Sequence, residues 1–316
     1  NPLTAFVYTR SGEGWQLPAP LAWELEYTTG SPCDSFWMRC PWDPDNDPEP
    51  SAWVRFQATD EKGVLFEGVV DECEASLTAD GALLELSGRG MAALLLDNEA
   101  LGQDYETATL ADILRDHAVP YGIAVGETAA MPPVERFSVA TGSSEWSVLE
   151  EFCRYYGGIA PRFDQQGKLV IAPWRDGEAL FIGDSTPVTR MLCRDRRYGV
   201  LSEIVVRDRY RHWTQRVNNP RLADGRCRRI LTMPGKSNFK AMRYNGQFQI
   251  ERSSAELLRL EIDVPIPYFA RPGDLVQVER TGWRRNGRYR TARVTVGTDG
   301  SGASSRLELA PPDILL

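Results

Sequence analysis

The sequence predicts a mainly β protein with an α+β insertion, and three observations carry this prediction. Short alternating segments separated by Gly, Pro and Asp turns fill residues 1–90. The pattern becomes a mixture of helical and extended segments over residues 91–187, and the β pattern returns over residues 188–316. Many short strands at this spacing are typical of an antiparallel barrel or sandwich. We therefore expect two small antiparallel β-barrel-like domains flanking an inserted α+β section.

In the first region, Trp23, Leu25 and Tyr27 alternate with small or polar residues, which places the large apolar side chains on one face of a half-buried strand. The loop over residues 41–50 holds four prolines and four acidic residues, so it cannot lie inside a sheet. The other strands predicted in this region are residues 4–9, 34–40, 52–59, 63–75 and 82–86.

The insertion is predicted to contain two helices. Thr109 followed by Asp112 is typical of a capping box and begins a helix over residues 109–119, which Pro120 stops. The second helix covers residues 144–156, because its apolar side chains follow helical spacing and a Gly-Gly pair ends it.

In the third region, residues 258–264 alternate between apolar and polar side chains without interruption, which predicts a half-buried strand. Pro272 and Gly273 occupy the two central positions of a predicted type II turn. The other predicted strands are residues 201–207, 227–232, 275–279, 289–296 and 306–309.

The charge of the chain is distributed unevenly. The net charge is −8 for 316 residues, but residues 1–158 carry 8 Lys and Arg against 27 Asp and Glu, whereas residues 159–316 carry 28 against 17. Either the basic half contacts nucleic acid, or the acidic half of one subunit faces the basic half of the next in a head-to-tail ring. Two solvated surfaces of opposite sign are the third possibility.

Few residues qualify for metal or catalytic chemistry. The acidic loop at residues 43–48 places carboxylates at alternate positions but lacks the Gly and Glu of a calcium loop. Cys153 and His117 could be imagined as a nucleophile and a base, but a core thiol and a histidine at a helix end explain them better. We therefore predict no catalytic residue, no metal site and no cofactor. The longest apolar run, residues 91–96, is too short to insert into a membrane.

The densest basic cluster is the candidate functional site. Arginines at alternate positions of a strand would share one face, which suits the carboxylates of a neighbouring subunit. Interleaved aromatic side chains also permit contacts with nucleic acid, but the acidic pI of about 5.1 favours a subunit interface. The candidate interface residues are Arg207, Arg209, Arg211, Tyr210 and Trp213.

Four segments, in this order, resemble phage tail baseplate hub proteins. These are residues 66–72, residues 87–95, residues 270–278 and residues 287–294. The helix-turn pairs at residues 109–124 and 147–160 extend the resemblance over most of the chain.

The resemblance implies that residues 1–90 and 188–316 are β-barrel-like tube domains and that residues 91–187 are inserted between them. It further implies a non-enzymatic homotrimer in the virion tail baseplate, which presents six similar domains and joins the sixfold tail tube to the central spike. The implied partners are the central spike protein, the tail tube and tape-measure proteins and other baseplate proteins, with DNA only in transit.

Two functions from other classes stay open at this point. The inserted section could be a tail-associated peptidoglycan hydrolase, which would require a catalytic carboxylate or Cys153. The chain could also be a carbohydrate-binding or receptor-binding tail module, for which the nine tryptophans are the only indication.

Overall fold

The computed structural model describes residues 2–29, 33–208, 210, 213–222, 227–233 and 239–313. Strands account for 46% of the chain and helices for 16%, so the mainly β prediction is confirmed.

Seven strands precede the insertion among the residues that the structure describes. They are β1 (Thr4–Thr9), β2 (Gly14–Gln16), β3 (Ala22–Thr28), β4 (Ser35–Pro41), β5 (Trp53–Asp60), β6 (Gly63–Thr78) and β7 (Gly81–Gly90). All of them pair antiparallel, in the order β3-β4-β7-β6-β5-β1-β2. Strand β7 runs through residues 87–90, where the sequence pattern predicts the transition to the insertion.

The insertion contains short helices and small sheets. Its elements are α1 (Ala93–Asp97), β8 (Asp104–Ala108), α2 (Leu110–His117), β9 (Val125–Thr128), β10 (Val134–Ser138), α3 (Glu145–Glu150), a π-helical segment (Glu151–Tyr156), β11 (Arg162–Phe163) and β12 (Leu169–Ile171). The predicted capping box is confirmed, because the Thr109 side chain accepts from the Asp112 backbone and the Asp112 side chain accepts from the Thr109 backbone. Ile113, Leu149 and Phe152 lie in a separate core inside this section.

The remainder contains nine strands and one long helix in its described part. These are β13 (Leu180–Gly183), β14 (Arg190–Asp195), β15 (Glu203–Arg207), β16 (Thr214–Asn218), β17 (Arg228–Thr232), α4 (Phe239–Ser254), β18 (Leu258–Val264), β19 (Leu275–Glu279), β20 (Gly287–Asp299) and β21 (Gly302–Ala310). The predicted turn at residues 271–274 is present: Gly273 has a φ of +91° and the Asp274 N–H donates to the Arg271 carbonyl.

The two β regions are joined into one sheet. Strand β3 pairs with β4 on one side and with β20 on the other, which creates a continuous 13-stranded sheet from β13, β14 and β18–β21 through to β2. At the junction, Leu25 lies opposite Val296, and both are 1% exposed. The strands in the described part of the chain therefore do not form two separate closed barrels, because β3 and β20 pair with each other across the two regions.

The main hydrophobic core also contains residues from both β regions. Phe36, Phe56 and Phe66 form an aromatic cluster in which the Phe36 and Phe56 rings stack with centroids 3.8 Å apart. Val264 and Leu309 from the far end of the sequence belong to the same buried cluster. Burial of apolar surface therefore couples the first and third regions directly.

Candidate subunit interface

Strands β15, β16 and β17 form a three-stranded sheet that packs on α4. Strand β15 is central, antiparallel to β16 and parallel to β17. Ile204 and Val206 point toward α4 and form a small core with Met242 and Ile250. Gly246 allows this close packing, because a Cβ there would lie 2.7 Å from the Val217 Cγ2 atom. The sheet is held by its own core, separate from that of the 13-stranded sheet.

The outer face of this small sheet is rich in arginine. Glu203 lies between Arg216, at 3.4 Å, and Arg228. The hydrogen bond from Arg228 is the main reason that the pKa of Glu203 lies below its usual range. Arg207, at the other end of β15, makes no ion pair with any described residue. One carboxylate therefore balances only part of the positive charge on this face.

Two of the three arginines of the predicted row, Arg209 and Arg211, lie outside the described residues. Arg207 is the last residue of β15, and Tyr210 lies in a turn. Asp208 closes the hairpin, because its N–H donates to the Trp213 carbonyl at 3.2 Å and its carboxylate accepts from the Trp213 N–H at 3.3 Å. Asp208 is an acidic residue that favours turns, and its presence inside the basic run was the sequence signal for this turn.

Exposed aromatic side chains lie where α4 meets the small sheet. Trp213 packs edge-on against Phe239, with ring centroids 4.9 Å apart, and each residue is about half exposed. Tyr210 is 58% exposed and Ile230 is 53% exposed. Helix α4, which supplies Phe239, was not predicted, because its few apolar residues and its central Asn245-Gly246 pair hide the helical pattern. Arginine and exposed aromatic side chains together are typical of protein interfaces.

The histidine considered for catalysis belongs to a buried network. His117 Nδ1 lies 2.5 Å from Glu145 Oε2, and its Nε2 lies 3.0 Å from the Tyr105 hydroxyl. The Tyr121 hydroxyl donates to Glu145 Oε1 at 2.8 Å. Both ring nitrogens therefore have partners other than Cys153, whose buried thiol has a pKa well above its ordinary value. The predicted position of His117 in the last turn of its helix is confirmed, and the side chain there is buried, with 3% of its surface exposed.

The acidic loop is stabilised by its own hydrogen bonds. The Asp43 carboxylate accepts from the Asp45 N–H at 3.0 Å and from Asn46 Nδ2 at 2.6 Å. In the described part of the chain, no group of three or more His, Cys, Asp or Glu side chains could hold a metal ion. No described helix combines the length and hydropathy needed to cross a membrane.

The inserted section matches a known protein family. Residues 92–173 match the family described as baseplate hub protein gp44-like, second domain. The resemblance to baseplate hub proteins is confirmed. No curated protein matches the chain by sequence.

Solved structures of tail proteins share the fold of the hub-like chain over its whole length. A tail protein from Neisseria meningitidis MC58 superposes with a TM-score of 0.82 at 17% identity, covering 100% of this chain and 98% of that one. The 43 kDa tail protein of prophage MuSo2 from Shewanella oneidensis gives 0.79 at 17% identity, with full coverage of both chains.

A component of a secretion machine is also similar. The E. coli c3393 protein, described as a type VI secretion system component with structural similarity to T4 bacteriophage tail proteins gp27 and gp5, gives a TM-score of 0.57 at 14% identity. The match covers 92% of this chain and 73% of that one. At these identities the likeness establishes a common fold.

Proposed function

We propose that this chain is a structural subunit of the baseplate hub of a phage tail or tail-like particle, where it forms a ring that joins the tail tube to the central spike or tail tip. The observation that carries the proposal is the combination of a baseplate hub domain at residues 92–173 with a tail-protein fold over the whole chain. The protein then resides in the virion tail baseplate and has a structural, non-enzymatic role.

The proposed assembly is a homotrimer in which each subunit supplies two wall units. Residues 1–90 would form the first tube domain, residues 188–316 the second, and residues 91–187 the section inserted between them. The continuous pairing of β3 with β20 supports this arrangement, because it holds the two β regions of one subunit side by side in a fixed orientation. Three subunits would present six units to the tail tube.

The proposed contact between subunits is heterologous, because a closed ring needs two different complementary surfaces on each copy. The basic surface would be the region around β15–β17 that includes Arg207, Tyr210 and Trp213, together with Arg209 and Arg211. The net charge of −19 for residues 1–158 supports an acidic surface on the neighbouring copy.

The proposed partners are the central spike protein, the tail tube and tape-measure proteins and other baseplate proteins, with DNA only in transit through the lumen. The similarity of the fold to that of the c3393 protein, described as a secretion-system component that resembles tail proteins, supports a place among such tail components.

Size-exclusion chromatography with multi-angle light scattering tests the proposal. The chain has a mass of 35.4 kDa, so a trimer has about three times that mass. We expect trimers that dissociate as salt is raised, because screening weakens contacts between opposite charges. A monomer at every salt and protein concentration, also in the presence of the cognate spike protein, would contradict the proposed ring. A zymogram showing cell-wall lysis by the purified chain would favour the hydrolase instead.

A further inference from the structure

A cavity of about 440 Å³ lies between the 13-stranded sheet and the smaller unit that α4 forms with β15, β16 and β17. Its floor comes from β18, β20 and β21, one wall is the C-terminal end of α4, and the other is the loop that follows β14. Every lining residue belongs to the described part of the chain. The cavity shares no lining residue with the candidate interface residues on β15–β17.

The cavity has an excess of positive charge. Arg196, Arg252, Arg259 and Arg293 line it together with only two carboxylates, Glu256 and Glu308.

The two carboxylates are already engaged. Glu256 pairs with Arg196 at 2.6 Å, and Glu308 lies 3.8 Å from Arg293. Arg252 and Arg259 make no ion pair with any described residue, so two cations on the lining have no counter-charge in contact.

Arg259 is the most constrained of these cations. Its Nε and Nη1 atoms are buried, and no described atom accepts a hydrogen bond from either. Burial lowers the pKa of Arg259 below its ordinary value, while Glu308 and Glu256 act in the opposite direction from a distance. A partly buried guanidinium without an ion-pair partner is unfavourable unless an anion compensates its charge.

We propose that this cavity binds a phosphate group, with Arg252 and Arg259 as its principal cationic ligands and Arg293 as a third. Guanidinium groups present planar pairs of N–H donors that match phosphate oxygens, and three of them from different elements can surround one tetrahedral anion. The volume lies within the range of pockets that hold small organic ligands, so the phosphate can carry a further group. Tyr198, 87% exposed on the lining, offers a ring on which a base could stack.

The phosphate could come from the free ion, from a nucleotide or from nucleic acid, and the experiment separates these sources. Thermal unfolding and calorimetric titration of the full chain would use sodium phosphate, thymidine monophosphate and a short oligo-dT, each against sodium chloride at equal ionic strength. We expect a rise in Tm of about 3 °C at a phosphate concentration ten times the Kd. Tighter binding of the nucleotide or of the oligonucleotide identifies that source, and equal or weaker binding identifies the free ion.

Two variants and a control decide whether the cavity is responsible. Arg252 is exposed near the C-terminal end of α4, so the Arg252→Gln variant should fold normally. We expect this variant to bind phosphate about tenfold more weakly than the wild type. Arg259→Gln should weaken it at least as much. Arg284→Gln, an exposed arginine in the connection between β19 and β20, should bind as the wild type does. Absence of a phosphate-specific shift, or equal binding by wild type and Arg252→Gln, would overturn the proposal without affecting the hub role.

Discussion

The imidazole of His117 and the carboxylate of Glu145 are hydrogen-bonded to each other inside the inserted section, and both residues are at most 5% exposed. His117 ends α2 and Glu145 begins α3, so this contact fixes the relative position of the two helices. Tyr105 from β8 and Tyr121 complete the network. Buried polar groups of this kind are costly when one partner is lost, since the other is left without a hydrogen bond in an apolar surrounding.

We expect His117→Ala to lower the free energy of unfolding by about 2 to 4 kcal/mol, because Glu145 would be left buried without its histidine partner. Urea unfolding followed by tryptophan fluorescence measures the change, and Trp146 reports it from the neighbouring position in α3. Glu106→Gln, at an exposed position of β8, is the control and should change stability by less than about 0.5 kcal/mol. Equal stability of the two variants would refute a structural role for the network.

Gly88 on β7 lies where no side chain fits. A Cβ there would lie 1.9 Å from the Val69 carbonyl oxygen and 2.7 Å from Phe36 Cε1. The first of these atoms is backbone in a paired strand and cannot move aside, so we expect Gly88→Ala to cost roughly 2 to 4 kcal/mol. Gly102→Ala has no atom within 4 Å of the added methyl group and should be nearly neutral. Melting temperatures of the two variants test the contrast; similar values would show that β7 can shift away from β6.

Asp34 gives the stability of the fold a pH dependence. Burial raises its pKa to about 7, despite hydrogen bonds from the Thr28 N–H at 2.7 Å and from the Thr28 hydroxyl at 3.3 Å. The folded chain retains a proton that the unfolded chain releases near pH 4. This residue therefore contributes stability that is fully present below about pH 4 and is lost as the pH rises through 7.

Asp34→Asn keeps a neutral acceptor at this position, so its advantage over the wild type should grow from about pH 4 to pH 7 and reach roughly 1 to 3 kcal/mol at pH 8. Melting temperatures at intervals between pH 4.5 and pH 8 measure the difference. Glu61→Gln, in the exposed turn between β5 and β6, should follow the wild type at every pH. A constant difference between Asp34→Asn and the wild type would show that Asp34 does not titrate in this range.

Trp213 tests the proposed subunit contact. We expect Trp213→Ala to weaken trimer formation by about tenfold or more, since aromatic residues at the centre of interfaces carry a large share of the binding energy. Light scattering over a concentration series measures the dissociation constant. Leu101→Ala removes an apolar side chain that is 86% exposed in the insertion and should leave assembly unchanged. Trimers of equal affinity in both variants would place the contact elsewhere on the molecule.

Local pattern was sufficient for most of the strands. Residues 258–264 and 275–279 form the predicted strands with the predicted ends, because uninterrupted alternation and a Pro-Gly turn determine both the period and the boundary. Helix α4 and strand β14 were missed, since their few apolar residues do not repeat clearly and their burial depends on partners distant in sequence. The same limit applies to the candidate interface: composition indicated a basic, aromatic cluster, but the hairpin at Asp208 decides which of its side chains share a face.

The sequence by itself determined the order of β, mixed and β regions, the opposite charges of the two halves and the capped helix at Thr109, because each depends on neighbouring residues or on simple composition. Only the tertiary structure decided that β3 and β20 join the two β regions into one sheet, that His117 is buried against Glu145, and that four arginines line one cavity. These are contacts between residues far apart along the chain, and no local pattern specifies which distant partners meet.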